Sequence, residues 1–192
     1  MIAGIITFLL VNFTLTLFVV GLVTAGIRIA RSRRSGRSEA PGTVSGALLD
    51  HFLLFSIGVS FTWNFVVHSV FGDFSARVIG WVQSPFQLEV AFASLGFALL
   101  GFLAFTRRSD LRLKFAAVLG VTPFLWGAAG GHVYQLVAHG NVAAGNAGVV
   151  LWTDVLLPVF GLAAVWAHHR ALRHAAGRHE TVPAPTREPV AS

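Results

Sequence analysis

The sequence predicts an all-α integral membrane protein, a bundle of five transmembrane helices with the N-terminus outside and the C-terminus cytoplasmic. Two observations carry this. Apolar stretches run from about Ile2–Gly26, His51–Phe71, Leu88–Thr106, Phe115–Ala138 and Ala147–Ala167, each near the length of about 20 residues that crosses about 30 Å of hydrocarbon. The connections between them also alternate in charge. Arg28, Arg31, Arg33, Arg34 and Arg37 follow the first stretch, Arg107, Arg108, Arg112 and Lys114 lie between the third and fourth, and Arg170, Arg173 and Arg178 follow the fifth. The two remaining connections hold only Arg77. Basic loops stay in the cytoplasm, which orients every span and points to the plasma (inner) membrane of a bacterium.

Taken in order, residues 1–27 form the first transmembrane helix. The chain opens Met1-Ile2-Ala3 and meets no charge before Arg28. A secretory signal instead places its positive charges ahead of a short apolar core, so this segment reads as an uncleaved anchor. Residues 28–45 are basic and rich in Ser and Gly, with Pro41, and read as a cytoplasmic linker. Residues 46–170 form a four-helix bundle that carries the polar site, with the first span peripheral to it. Residues 171–192, with Pro183, Pro185 and Pro189 among charges, read as a disordered cytoplasmic tail. Near the third span, Ser84 is placed to cap the helix, with Pro85 at its first position and Gln87 at its third, close to a capping box. Asn146 is placed to cap the fifth span.

Composition excludes several function classes. Apolar residues make up 55% of the chain and charged residues 11%, against roughly 25% charged for a soluble domain. The net charge of +6 is therefore topological and meets anionic lipid rather than nucleic acid; no basic face carries the stacking aromatics that nucleic-acid sites use. The chain has no cysteine, which removes disulfides, thiolate metal sites and thiol redox chemistry. No phosphate-binding loop and no internal repeat occur.

The polar residues inside the spans carry the functional expectation, since such groups are costly in hydrocarbon and face the bundle interior or a cavity. Asn64 and His68 lie in the outer half of span two. Gln87 and Glu89 open span three, and His132, Gln135 and His139 close span four. Asn146 starts span five, with Asp154 about 12 Å deeper along the helix. Four helices thus bring these groups to one level. Ser56, Ser60, Asn64 and His68 recur every four residues as one stripe, and His132 and Gln135 share a face. Asp154 precedes Pro158 by one turn, and the proline leaves the Asp154 carbonyl without its helical donor. The opposite halves offer only Asp50 and His51, at the edge.

Trp81, Ser84-Pro85-Phe86-Gln87 with Glu89, Gly131-His132 with Gln135, Gly140-Asn141, Gly145-Asn146 with Gly148, and Asp154 with Pro158 together resemble an uncharacterised family of small polytopic bacterial membrane proteins, catalogued as a domain of unknown function. The likeness covers Phe61 to Pro158, about half the chain. It implies no activity. The arrangement is also loosely similar to small four-helix membrane proteins of quinone pathways.

The expected function is a site in the outer leaflet, built by Asn64, His68, Gln87, Glu89, His132, Gln135, Asn146 and Asp154, that binds and can pass a small ligand, ion or proton. A carboxylate facing a histidine suits a cation or a transferable proton. For a divalent metal the donors are His68, Glu89, His132 and Asp154, a nitrogen and oxygen set matching zinc, iron or manganese. Haem would take His68 and His132 as axial ligands. A catalytic reading uses Glu89 as general acid or base on a lipid-linked or quinone-like substrate; without a nucleophile motif it ranks below binding, and no catalytic residue is assigned. The alternative is a structural or accessory subunit, in a homo-oligomer or larger complex, where the same groups only join helices.

Overall fold

A computed structural model describes residues 8, 11–35, 40–106 and 109–180 of the 192-residue chain. Among the described residues all regular structure is helical. The elements are α1 (Phe13–Arg34), α2 (Thr43–Val70), α3 (Gly72–Ile79), α4 (Phe86–Ala104), α5 (Leu111–His139), the single turn α6 (Ala144–Ala147) and α7 (Val149–Glu180). Five helices are long and apolar enough to cross a membrane, α6 and α7 counting as one. Their outward faces carry large apolar side chains such as Phe92, Leu103, Val137 and Trp152, as a multi-pass membrane protein in lipid requires.

Helix α2 is the central post. It packs on α1 and α4, and its first half also packs on α7. Leu49, Phe52, Leu53 and Ile57 form the core with Val118 and Val121 of α5 and Leu157 and Val165 of α7. Between Leu53 and Val59 the helix winds as a π-helix. Here α4 comes closest, since a Cβ on Gly101 would lie 2.5 Å from Gly58 N. Two glycines meeting across a crossing let backbones approach, and the widened turn at Gly58 accommodates it.

The boundaries differ from the expected ones where local chemistry decides them. Helix α1 continues to Arg34, into the segment read as linker, because Arg31, Arg33 and Arg34 in its last turn oppose the negative end of its dipole. Helix α7 continues to Glu180, past the expected start of the tail; residues 181–192, and with them Pro183, Pro185 and Pro189, lie outside the described residues, as do residues 1–7 of the first span. Residues Gly72–Ile79, read as loop, form α3. Asp73 and Arg77 point outward while Ser75 and Ala76 are buried, and Gly80 ends the helix at φ 75°. Helix α4 starts without a side-chain cap: the Gln87 and Leu88 amides donate to the Ser84 and Pro85 carbonyls, so the expected capping box does not form. Asp110 does cap α5, accepting from Leu113 N at 2.9 Å.

The basic end is closed by ions. Asp50 of α2 is 5% exposed and receives Lys114 Nζ of α5 at 2.5 Å and Arg28 Nη1 of α1 at 2.7 Å. Lys114, 4% exposed, gives its other protons to the Ala104 and Thr106 carbonyls at 3.0 and 2.9 Å, where α4 ends. All three ammonium protons are thereby used. Thr24 joins His51 at 2.7 Å, and Ser45 joins His168 at 3.1 Å. His168 packs over Gly42 and Gly46, where a Cβ would stand about 3 Å from its ring.

Removing one partner from this set strands a buried charge, which costs about 3–5 kcal/mol. Lys114→Met should lower the melting temperature in detergent strongly. The double variant Lys114→Met/Asp50→Asn should recover part of the loss, because contacting residues are not additive. Additive losses would show that the ions do not act as one unit.

Candidate functional site

The opposite end of the bundle is organised by one amide. Asn146, in α6, has no exposed surface. Its Oδ1 accepts from Trp81 Nε1 at 3.0 Å and from His132 Nδ1 at 2.9 Å. Its Nδ2 donates to the Asn141 carbonyl at 2.9 Å and the His132 carbonyl at 3.2 Å. Both donors and both lone pairs are used, so Asn146 joins the α3–α4 and α5–α6 connections rather than capping α7 as expected. A neighbouring amide repeats the device: Asn141 donates to the Ile79 and Gly80 carbonyls at 3.0 and 3.2 Å and accepts from Ala143 N at 3.0 Å. Close approach explains the glycines. A Cβ on Gly145 would fall 2.7 Å from the Val78 carbonyl, and one on Gly131 would meet the Trp81 ring at 3.4 Å.

Beneath this cap lies a cavity of about 860 Å³ bounded by α1, α2, α3, α4, α5 and α7. Phe13 and Thr14 of α1 are on its wall and Thr14 bonds Thr153 of α7 at 2.9 Å, so the first span, expected to be peripheral, is part of the site. Most of its wall is apolar, with Phe61, Trp63, Phe124 and Trp81 among the aromatic residues. The expected stripe of α2 is on this wall, since Ser56, Ser60, Asn64 and His68 all line it, joined by Gln87, His132 and Asp154. Asn64 Nδ2 donates to Ser94 Oγ at 2.9 Å. The His68 ring bonds Gln87 Oε1 across α2 and α4; an amide oxygen only accepts, so His68 Nδ1 carries the proton. This is where the Gln87 side chain goes instead of a capping box. A second, more polar pocket of about 640 Å³ adjoins the cavity, and His68, Phe71, Phe74, Ser84 and Gln87 line both. The His68–Gln87 bond therefore stands in the partition.

His132 and Asp154 are 5% and 4% exposed, and His132 Nε2 stands 3.7 Å from Asp154 Oδ2. That separation is beyond a hydrogen bond. Because Asn146 takes the Nδ1 proton, Nε2 is the only nitrogen whose protonation can vary. Nε2 and the Asp154 carboxyl are thus the two groups of the pair left open to a further partner.

The remaining expected residues do not join. Glu89 is exposed on α4 and is not part of the cavity wall. It sits in the first turn of its helix, where an outward carboxylate reaches past the hydrocarbon edge and needs no interior partner. Gln135 is half-buried one turn beyond His132 and is also off the wall, and His139, the last residue of α5, is exposed against Tyr134. Among the described residues no three His, Asp or Glu side chains gather as metal ligands; the expected set His68, Glu89, His132 and Asp154 is not assembled because Glu89 faces away. For haem, His68 and His132 share a wall, but a carboxylate stands beside the nitrogen of His132 that would ligate iron. Sequence reasoning does not single out Ser75 or the Phe71–Phe74 pair, which also belong to the wall. The available signal for Ser75 is a serine on the apolar side of a short amphipathic helix.

The chain belongs to a family of unknown function (DUF6790), whose model matches residues 11–174. The match extends beyond Phe61–Pro158 to include α1, with Arg28, and Asp50. No curated protein and no solved structure matches the chain.

Asn146→Leu removes four hydrogen bonds and strands the Trp81 indole and His132. Each stranded buried group costs about 1–3 kcal/mol. The variant should melt at lower temperature and show red-shifted tryptophan emission as Trp81 leaves its site. Unchanged emission would mean that Asn146 does not hold the cap.

Proposed function

We propose that this protein holds a small, largely apolar molecule in the cavity under the Asn146 cap, with the basic end of the bundle in the cytoplasm. The observation that carries the reading is a cavity of about 860 Å³ whose apolar wall is interrupted by a few convergent polar groups, the usual form of a small-molecule site. Such a wall suits a ligand with an apolar body and one or two hydrogen-bonding groups. A hydrated ion is poorly served by it. The neighbouring polar pocket, with His68 and Gln87 at the partition, supplies a route from the bundle surface. The His132–Asp154 pair sets two cavity-facing groups of the kind that exchange protons side by side, which supports passing a proton as well as binding.

The reading as a structural or accessory subunit has one observation in its favour, the complete satisfaction of Asn146. That accounts for the cap. It does not account for a carboxyl and an imidazole nitrogen left without hydrogen-bond partners beside a large cavity. Metal binding gains no support from the gathered side chains, and the catalytic reading loses Glu89, which faces outward.

Ala128 lines the cavity on α5, and Ala128→Phe should fill it. Mass spectrometry of organic extracts from the purified wild type should reveal a small apolar molecule near one per chain, strongly depleted in a variant of unchanged melting temperature. Equal retention by both would place the molecule elsewhere.

The orientation is tested separately. Because the chain has no cysteine, single substitutions report cleanly. Val82→Cys, at a site 93% exposed, should react with a membrane-impermeant maleimide in intact cells, and Arg173→Cys only after lysis. The reverse pattern would invert the topology.

A further inference from the structure

The cavity has one corner whose chemistry is more specific than its walls, and the identity of the group bound there rests on the ligand-site reading of this cavity. His132 Nε2 and the Asp154 carboxyl make no hydrogen bond among the described residues, although both residues are more than nine-tenths buried and both line the cavity. Ser56 Oγ, also on the wall and 3% exposed, is buried without a partner. An imidazole nitrogen and a carboxyl of two buried residues that line the cavity without hydrogen-bond partners run against the rule that such groups are paired, and they point to a ligand that supplies the partners.

The geometry limits that ligand. The 3.7 Å between Nε2 and Oδ2 is too long for a direct bond, but one oxygen atom can stand within hydrogen-bond distance of both. Nδ1 is committed to Asn146, so Nε2 and the carboxyl are what the pair offers a ligand, and with one proton between them they form one donor and one acceptor, whichever carries it. In either state the bridging atom must donate once and accept once. A hydroxyl does this. A carbonyl only accepts and an ammonium only donates, so neither bridges a donor and an acceptor. We propose that the occupant is an apolar molecule with a neutral hydroxyl head, bridging His132 Nε2 and Asp154 Oδ2 while its body lies along the aromatic wall.

Two sources share this chemistry: an aromatic hydroxyl such as a hydroquinone, and an aliphatic one such as an isoprenoid alcohol. The test compares each hydroxyl compound with its own methyl ether, which keeps the apolar body and loses the donor. Trimethylhydroquinone with its dimethyl ether forms one arm, and geranylgeraniol with its methyl ether the other. Binding to the full chain in detergent micelles is measured by calorimetry, for the wild type and for Asp154→Asn and His132→Gln. A hydroxyl preference of about ten-fold, the scale of one charge-assisted hydrogen bond, is expected in one or both arms, and the arm identifies the source. In Asp154→Asn the preference should shrink to about three-fold or less, while affinity for the ether stays unchanged. His132→Gln keeps the question open to measurement should Asp154→Asn not fold.

Equal binding of alcohol and ether in both arms overturns the hydroxyl assignment and leaves the cavity reading standing. A preference that survives intact in both variants also overturns it, because the hydroxyl is then read elsewhere. Failure of all four compounds to bind overturns the hydroxyl assignment, while the cavity reading falls only if extracts of wild type and Ala128→Phe retain the same molecule equally.

Discussion

A carboxylate that must be buried needs its counter-charges brought to it, and Asp50 obliges three helices to converge. Lys114 arrives from the first turn of α5 and Arg28 from the last turns of α1. The lysine then reaches on to the end of α4 through the Ala104 and Thr106 carbonyls. In low dielectric these contacts are strong, but the desolvation they offset is also large. Their contribution is better described as position than as net stability: of the ways to pack five apolar rods, few place both cations on one carboxylate. With one end drawn tight in this manner, the helices can stand apart at the other.

The distribution of polarity follows from this division. Near the basic end the interior is dense, with Phe52, Phe160 and Phe18 ring against ring and Gly161 fitted under the Phe52 ring and Val118. Past the Gly58–Gly101 crossing α2 stays on α4 through Phe61–Phe97, Asn64–Ser94 and Phe65–Phe92, and the space beside them is bounded by aromatic walls and covered by α3 and α6. The cover cannot be closed by apolar contact alone, since connections carry backbone groups that hydrocarbon cannot satisfy. Asn141 and Asn146 answer that need by pairing carbonyls and amides across two connections. The order of the site is therefore set by two small residues in the short stretch between α5 and α7 and not by the long helices beneath it.

How much of this was legible in the sequence depends on which coordinate is asked for. Depth along a helix can be counted, so the five spans, the level of Asn64, His68, His132 and Asp154, and the bracketing of a tight connection by Gly140-Asn141 and Gly145-Asn146 were all open to reading. Azimuth cannot be counted without knowing the neighbours. Glu89 shares its level with the cavity but not its direction, and a carboxylate in a first turn can satisfy itself outward. Lys114 looked like one more topological charge because its partner lies in a different span, and only the meeting of α2 and α5 reveals the pair. Asn146 has the right type and place for a helix cap; a stronger demand from Trp81 and His132 took its side chain instead. The short α3 was hidden because eight residues of mixed polarity carry too little periodicity to separate a surface helix from a loop.

The π-helical stretch of α2 sets the register between the two ends of the molecule. A π-turn amounts to one residue inserted into an α-helix, and one residue corresponds to about 100° of rotation. Asp50 lies before the insertion and Asn64 and His68 after it, so the insertion turns the face that carries Asn64 and His68 by about 100° relative to the face that carries Asp50. Relaxation of Leu53–Val59 to an ordinary α-helix would turn one half relative to the other, exposing either the carboxylate or the histidine to lipid. The two halves of this helix are thereby indexed to each other like the bits of a key, and length changes within Leu53–Val59 are far more restricted than the plain, interchangeable appearance of its apolar residues implies.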